Sequence, residues 1–278
     1  MKIRRKLVVI TGASRGIGKA VALNLAKKGA RVILVARDRD KLREAANEIM
    51  NRNGEAHALI CDVADGEMVR RICREIVKLY GNPDILINSA GFGVWKPFMD
   101  ITEEEHRQMM DVNYWGTYYF IRELLPSMIE KKSGKIVNIS SGSGKFALPV
   151  TSGYSASKFA VVGLSEALHR ELLGTGVGVS CLNPGSVKTD FWNEERIPRK
   201  SIPPLVKYSP KLSPKAVTRW VSLCIWLPIP SLTFPFFVGI LAKLNAVWIR
   251  LGDLLLWKWF FPVLGMLLLI RLLTKYIL

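Results

Sequence analysis

LVVITGASRGIG, residues Leu7–Gly18, sets a short β-branched run directly against a glycine-rich turn. The run reads as a strand, and the residues after Gly16 read as the start of a helix. Glycines at 12, 16 and 18 let the backbone turn tightly there. They also let an anion such as a pyrophosphate approach the N-terminus of the helix, where unpaired N–H groups point outward. The spacing is Gly-x-x-x-Gly-x-Gly, which differs from the commoner GxGxxG of dinucleotide sites. Its place between strand one and helix one is the context such a loop requires.

Outward from this turn, strand and helix alternate. RVILVA (Arg31–Ala36), HALICDV (His57–Val63), DILIN (Asp84–Asn88), KIVNIS (Lys135–Ser140) and GVSCLN (Gly178–Asn183) repeat the apolar pattern of Leu7–Thr11. Continuous apolar runs of this length suit strands buried on both faces of a parallel sheet. Helical stretches lie between them at Gly16–Lys28, Asp40–Asn53, Gly66–Tyr80, Thr102–Lys131 and Ser155–Leu173. The alternation predicts an α/β fold, a doubly wound parallel sheet of about seven strands with helices on both faces. Asp38 is placed to cap the second helix, and Ser213-Pro214 to open a later one that runs to Trp226. Ser231–Pro235 reads as the last strand.

The chain has 278 residues, 49% of them hydrophobic, and a formal charge of +17. That content excludes a disordered chain, and the charge favours anionic partners. No nucleic-acid recognition motif accompanies it. Cys61, Cys73, Cys181 and Cys224 are scattered without a CxxC pair, which predicts buried thiols in a reducing compartment. His57, His106 and His169 lack ligand spacing, so no metal is expected. The opening MKIRRK runs straight into Leu7, leaving an apolar run too short for a signal peptide.

Tyr154 and Lys158, in YSASK, stand four residues apart and share one face of a helix. A free phenol titrates near 10 and is a poor acid or base at neutrality. A nearby ammonium, together with the positive nicotinamide of an oxidised cofactor, favours the phenolate and is expected to lower that value. The phenol can then give a proton to a carbonyl oxygen or take one from an alcohol.

Taken together, TGxxxGxG at Thr11–Gly18, NSAG at Asn88–Gly91, Asn113 in a long helix, a serine before YxxxK and NPG at Asn183–Gly185 resemble the short-chain dehydrogenase/reductase family. The resemblance covers roughly residues 5–225 and implies a Rossmann-like fold. It implies a catalytic set of Asn113, Ser141, Tyr154 and Lys158. Ser141 lies thirteen residues before Tyr154, the family's usual interval, and would orient the substrate oxygen. Asn113 is similar to the family asparagine that holds a water in a proton relay behind the lysine, and the lysine also holds the nicotinamide ribose. The cofactor site so implied comprises Gly12, Ser14, Arg15, Gly16, Ile17, Gly18, Arg37, Asp62, Val63, Asn88, Ala90, Gly91, Tyr154, Lys158, Pro184, Gly185, Val187 and Thr189. Asp62 and Val63 would lie against the adenine. Pro184, Gly185, Val187 and Thr189 belong to the segment that folds over the carboxamide. The second strand ends in Ala36 where NAD-binding members carry an acid. Arg15 and Arg37 suit a 2′-phosphate, so NADP(H) is the expected cofactor. Ser89 replaces the second asparagine of the family's NNAG, with little effect expected on the chemistry.

The C-terminal part departs from this pattern. Trp220–Ala242 holds no charged residue but is broken by Pro228, Pro230 and Pro235. Residues 1–235 are therefore read as the catalytic domain and 236–278 as a hydrophobic segment. Trp248, Trp257, Trp259, Phe260 and Phe261 mix there with Lys243, Arg250, Lys258, Arg271 and Lys275, a composition suited to a membrane interface on the cytoplasmic face. Leu254–Ile270 is about the minimum length for a span. A cap over the substrate site, or a subunit interface, is the other reading of the segment. The function expected is reduction or oxidation of a lipophilic carbonyl or alcohol, steroid-like, sphingoid or fatty acyl. A 3-oxoacyl-carrier-protein reductase and a non-catalytic NADPH-binding scaffold are the alternatives. The family implies a homodimer or homotetramer packed through Thr102–Lys131 and Ser155–Leu173.

Overall fold

A computed structural model describes residues 3–192, 195–227 and 229–247. Seven strands form one sheet, in the order β3-β2-β1-β4-β5-β6-β7. They are β1 (Leu7–Thr11), β2 (Arg31–Ala36), β3 (Glu55–Ile60), β4 (Ile85–Asn88), β5 (Gly134–Ile139), β6 (Val177–Pro184) and β7 (Ser231–Phe234). Every neighbouring pair is parallel. Parallel strands need crossover connections, and helices supply them: α1 (Gly16–Lys27), α2 (Arg39–Met50), α3 (Gly66–Tyr80), α4 (Glu103–Met110), α5 (Gly116–Glu130), α6 (Ser152–Glu171), α7 (Pro204–Tyr208) and α8 (Pro214–Trp226).

The central strands are apolar throughout because each face meets helices. Val8 and Ile10 of β1 join Val32 and Leu34 of β2 in a core that includes Val21 and Leu25 of α1 and Val217 and Val221 of α8. Their neighbours Leu7, Val9, Ile33 and Val35 point the other way, into a core with Ile76 of α3 and Phe120 and Leu124 of α5. The strand order reverses between β1 and β4, and a crevice opens there at the carboxyl ends of the strands.

Most expected boundaries moved by one to three residues, α2 and α6 among them, and two differences stand out. β3 begins and ends earlier than His57–Val63, because it is an edge strand with a half-exposed face. The helix expected over Thr102–Lys131 is two helices joined by a π-turn, Asp111–Trp115. Thr102 opens α4 through a capping box with Glu105. Asp38 caps α2 by accepting from the Lys41 N–H, and Ser213 caps α8 ahead of Pro214.

After β7 the chain turns into α9 (Phe236–Val247). Its first turn packs back on the sheet's carboxyl edge. A Cβ built on Gly142 would lie 2.8 Å from Val238 Cγ1, and one on Gly185 would lie 3.6 Å from Val238 Cγ2. Among the described residues no helix is long and apolar enough to cross a membrane. The stretch Leu254–Ile270 lies outside the described residues.

Candidate active site

The turn after β1 shows why its glycines are needed. Gly12 has φ +64° and Gly16 φ +57°, both left-handed. A Cβ on Gly12 would stand 2.7 Å from the Ala90 Cα, so this turn and the one after β4 are in backbone contact. Thr11 binds them together, since its Oγ1 accepts from the N–H groups of Ser89 and Ala90 at 3.0 and 3.1 Å. The result is a crevice of about 440 Å³ lined by Gly12, Ser14, Arg15, Gly16, Ile17, Gly18, Ala36, Arg37, Val63, Ala90, Gly91 and Thr189, among others. A side chain on Gly12 would clash in this cradle, and the N-terminus of α1 faces it. The residues present therefore fit a dinucleotide.

Seven expected members of this site do not line the crevice: Asp62, Asn88, Tyr154, Lys158, Pro184, Gly185 and Val187. Asn88 is buried in β4 and donates to Asn138 Oδ1 at 2.9 Å; Asn138 in turn donates to Ser165 Oγ. That buried chain ties β4, β5 and α6 together, and Asn88 does not line the crevice. Asp62 stands at the rim, its carboxylate shared between the Ala64 N–H at 3.0 Å and the Arg37 guanidinium at 3.3 Å.

At the other end of the crevice, Tyr154 and Lys158 lie in the first two turns of α6, 6% and 4% exposed. The Ser141 side chain hydrogen-bonds the Tyr154 phenol. Ser141 itself is held by the Ser143 N–H, which donates to its Oγ at 3.1 Å. Lys158 Nζ donates to the Ile139 carbonyl at 3.2 Å and lies 5.9 Å from the centre of the Tyr154 ring. Asn113 sits in the π-turn, a geometry often found at functional sites. Its Oδ1 accepts from the Phe92 N–H, and its Nδ2 donates to the Phe92 carbonyl and to Ser157 Oγ, at 3.0, 3.0 and 2.8 Å. Its backbone carbonyl accepts from Thr117 Oγ1. Asn113 and Lys158 press on Gly91 from one side, where a Cβ would lie 2.9 Å from Asn113 Oδ1 and 3.1 Å from Lys158 Nζ.

Burial sets the electrostatics. It pushes the Tyr154 phenol up to about 12, offset in part by the Ser141 hydrogen bond. It pulls Lys158 down to about 8. Desolvation is the larger of the two causes on the phenol, so in the chain alone Tyr154 stands above its ordinary value.

The sequence model of the short chain dehydrogenase family matches residues 6–200. The chain belongs to that family. An uncharacterised oxidoreductase of Staphylococcus saprophyticus is 39% identical over 190 residues, 68% of this chain and 81% of its own. A short chain dehydrogenase/reductase of Burkholderia phymatum, solved with NAD, superposes with a TM-score of 0.82 at 25% identity, covering 90% of this chain and 96% of its own. An alcohol dehydrogenase of Thermococcus sibiricus, solved with 5-hydroxy-NADP, has a TM-score of 0.73 at 29% identity over 83% of this chain and 96% of its own. The protein is therefore an oxidoreductase of this family, with the parallel sheet expected from its sequence.

A second cavity of this dehydrogenase, about 160 Å³, adjoins the first, and Ile17, Thr189 and Phe191 line both. Ser141 and Tyr154 stand in its wall with Pro184, Gly185 and Val187. The rest is mainly apolar: Trp95, Phe146, Leu148, Trp192, Val206, Phe237 and Val238. The aromatic residues are packed edge to face or tilted, with Trp95 and Trp192 5.4 Å apart and Tyr154 and Phe191 also 5.4 Å apart. Sequence reasoning missed these lining residues. They come from four separate segments, and no spacing links them. The signals were the Asp190–Leu212 segment, which the family resemblance places over the substrate, and the hydrophobic run from Phe236 onward. Among the described residues no group of three His, Cys, Asp or Glu could hold a metal ion.

Proposed function

We propose that this dehydrogenase interconverts a carbonyl and an alcohol on a lipophilic substrate, with NADP(H) as cofactor and Tyr154 as general acid and base. One observation carries the reading. The Tyr154 phenol and the Ser141 side chain meet in the wall of an apolar pocket that adjoins the glycine-lined crevice.

The reduced cofactor, when bound, supplies the hydride that the carbonyl carbon accepts. Ser141 orients the substrate by donating its hydroxyl to the carbonyl oxygen. Tyr154, raised to about 12, keeps its proton at neutral pH and donates it to that oxygen as the alcohol forms. In the reverse direction the tyrosine oxygen takes the proton from the alcohol, so oxidation is the direction favoured by alkaline conditions. Lys158 is still an ammonium at pH 7, and its tie to the Ile139 carbonyl fixes it beneath the phenol. Asn113 holds the Gly91–Phe92 segment on which Lys158 rests.

The NADP(H) assignment rests on Arg15, Arg37 and Ala36. The dehydrogenases of Burkholderia phymatum and Thermococcus sibiricus were solved with NAD and with 5-hydroxy-NADP, so kinship leaves the choice to these residues. No acid ends β2 to receive a ribose 2′-hydroxyl, and both guanidinium groups line that end of the crevice. Arg37 is 62% exposed, and its pair with Asp62 is of the surface kind, worth about 0–1 kcal/mol. A 2′-phosphate would outcompete that carboxylate for the arginine fork.

The test is consumption of NADPH and NADH with ketones and aldehydes of rising chain length, with Tyr154→Phe alongside. We expect kcat/KM to climb with chain length, to favour NADPH by at least about tenfold, and to fall on the order of 10²–10⁴-fold in the variant. Preference for NADH, or for the shortest carbonyls, would overturn the cofactor or the substrate half of the reading respectively.

A further inference from the structure

The mouth of the apolar pocket is built by two segments. One carries Val206, Ser209 and Pro210, and the other carries Pro235, Phe237 and Val238. Exposed side chains alternate with these lining residues. Lys200, Lys207 and Lys211 are exposed on the first segment. On the second, Phe236 is 70% and Ile240 58% exposed, and Lys243 is exposed as well. Residues 236, 240 and 243 fall on one face of α9, while Phe237 and Val238 face the pocket. The helix is therefore apolar toward the pocket and apolar toward the outside, an arrangement not suited to a water-facing surface.

Charge narrows what covers that outer face. From Glu195 to Val247 the sequence has eight Lys or Arg and one acid, Glu195, a balance of +7. A second copy of this chain would bring the same cations to an isologous contact and repel. An acidic protein would meet the lysines but would leave Phe236 and Ile240 facing polar surface. The 31 residues that follow Val247 keep the same composition: Trp248, Trp257 and Trp259, a leucine-rich run, four cations and the single acid Asp253. Aromatic and aliphatic groups mixed with cations are what the headgroup boundary of an anionic bilayer accommodates.

We infer that this face docks on a lipid bilayer carrying anionic headgroups, with the pocket mouth turned to the acyl region, so that the substrate enters and leaves through the membrane. The inference rests on the lipophilic reading of the pocket.

The native cysteines allow a direct test. All four are buried, and burial pushes their thiols up, Cys61 to about 12 and Cys181 to about 11. A cysteine placed at an exposed position therefore takes a fluorophore selectively. Full-length Ile240→Cys and, as control, Glu44→Cys on α2 at the far side of the sheet are labelled and mixed with phosphatidylcholine/phosphatidylglycerol vesicles containing a spin-labelled lipid. We expect quenching at position 240 and none at 44. The Lys200→Glu/Lys207→Glu variant should bind these vesicles at least about 25-fold more weakly, on the order of fivefold for each cation. Its turnover of a short water-soluble carbonyl should be unchanged, which separates loss of docking from failure of the reductase reading. Vesicle binding without quenching at 240 would confine membrane contact to residues 248–278 and overturn the inference. Equal quenching at both positions would do the same, as would a signal at 240 that follows protein concentration without lipid.

Discussion

Lys158→Met should inactivate the enzyme and make it more stable. At pH 7 the buried lysine is an ammonium held at a site that favours its neutral form. Its value falls from the ordinary 10.5 to about 8, with desolvation as the first cause. At about 1.36 kcal/mol per pKa unit, the folded protein bears a cost of about 3 kcal/mol. Methionine removes that charge from the site at similar volume. It also leaves the Ile139 carbonyl one donor short, which costs about 1 kcal/mol. The variant should therefore be more stable by about 2 kcal/mol at pH 7, a rise in Tm of roughly 5 °C. The sign follows from proton counting. Between pH 8 and 10.5 the unfolded chain holds a proton on Lys158 that the folded protein has lost, so wild-type stability rises with pH across that window. Below pH 8 both states hold it and the cost is fully present. The two proteins should thus melt together near pH 10. Thermal unfolding by circular dichroism at pH 7 and pH 10, without added cofactor, measures both points. A Lys158→Met protein that melts below wild type at pH 7, or a gap that does not close with pH, would refute the reasoning.

Gly12→Ala forces a side chain into a left-handed turn and toward the Ala90 Cα at 2.7 Å. It should cost about 1–3 kcal/mol in urea unfolding and weaken NADPH binding, followed by nucleotide fluorescence, at least about tenfold. Asn113→Ala strips the partly buried N–H and carbonyl of Phe92 of their partners. Loss of roughly 2–4 kcal/mol is expected in the same assay. Ser157→Ala removes only one of the asparagine's three contacts and should cost about 1 kcal/mol.

The parallel sheet was readable because its inner strands are apolar on both faces, and Leu7–Thr11 and Arg31–Ala36 appear in the structure with the bounds their sequence suggests. The edge strand β3 was displaced because periodicity carries less information where one face is half exposed. Tyr154 and Lys158 were legible since a fixed spacing on one helix brings them together. Asn88 was not: its amide turns into the Asn138–Ser165 chain, a choice that depends on partners 50 and 77 positions away. The apolar pocket was hidden for a similar reason. Trp95, Phe146, Trp192 and Val238 become neighbours only after the crossovers and α9 are in place. The burial that raises Tyr154 in the chain alone cannot be read from a four-residue interval.

The π-turn at Asp111–Trp115 fixes a phase as well as a position. Each residue added to or removed from a helix rotates everything beyond it by about 100°. Here the wide turn absorbs one residue, and Thr117, Phe120, Ile121 and Leu124 then arrive buried on the inner face of α5. Deleting one residue of the five would convert the wide turn to a regular α-turn and leave that row on the sheet, whereas deleting one within α5 would swing the residues beyond it away. A segment that sequence alone presents as one uniform helix thus carries one surplus residue at Asp111–Trp115, and the helix can lose a single codon there, but not within α5, without turning its buried row.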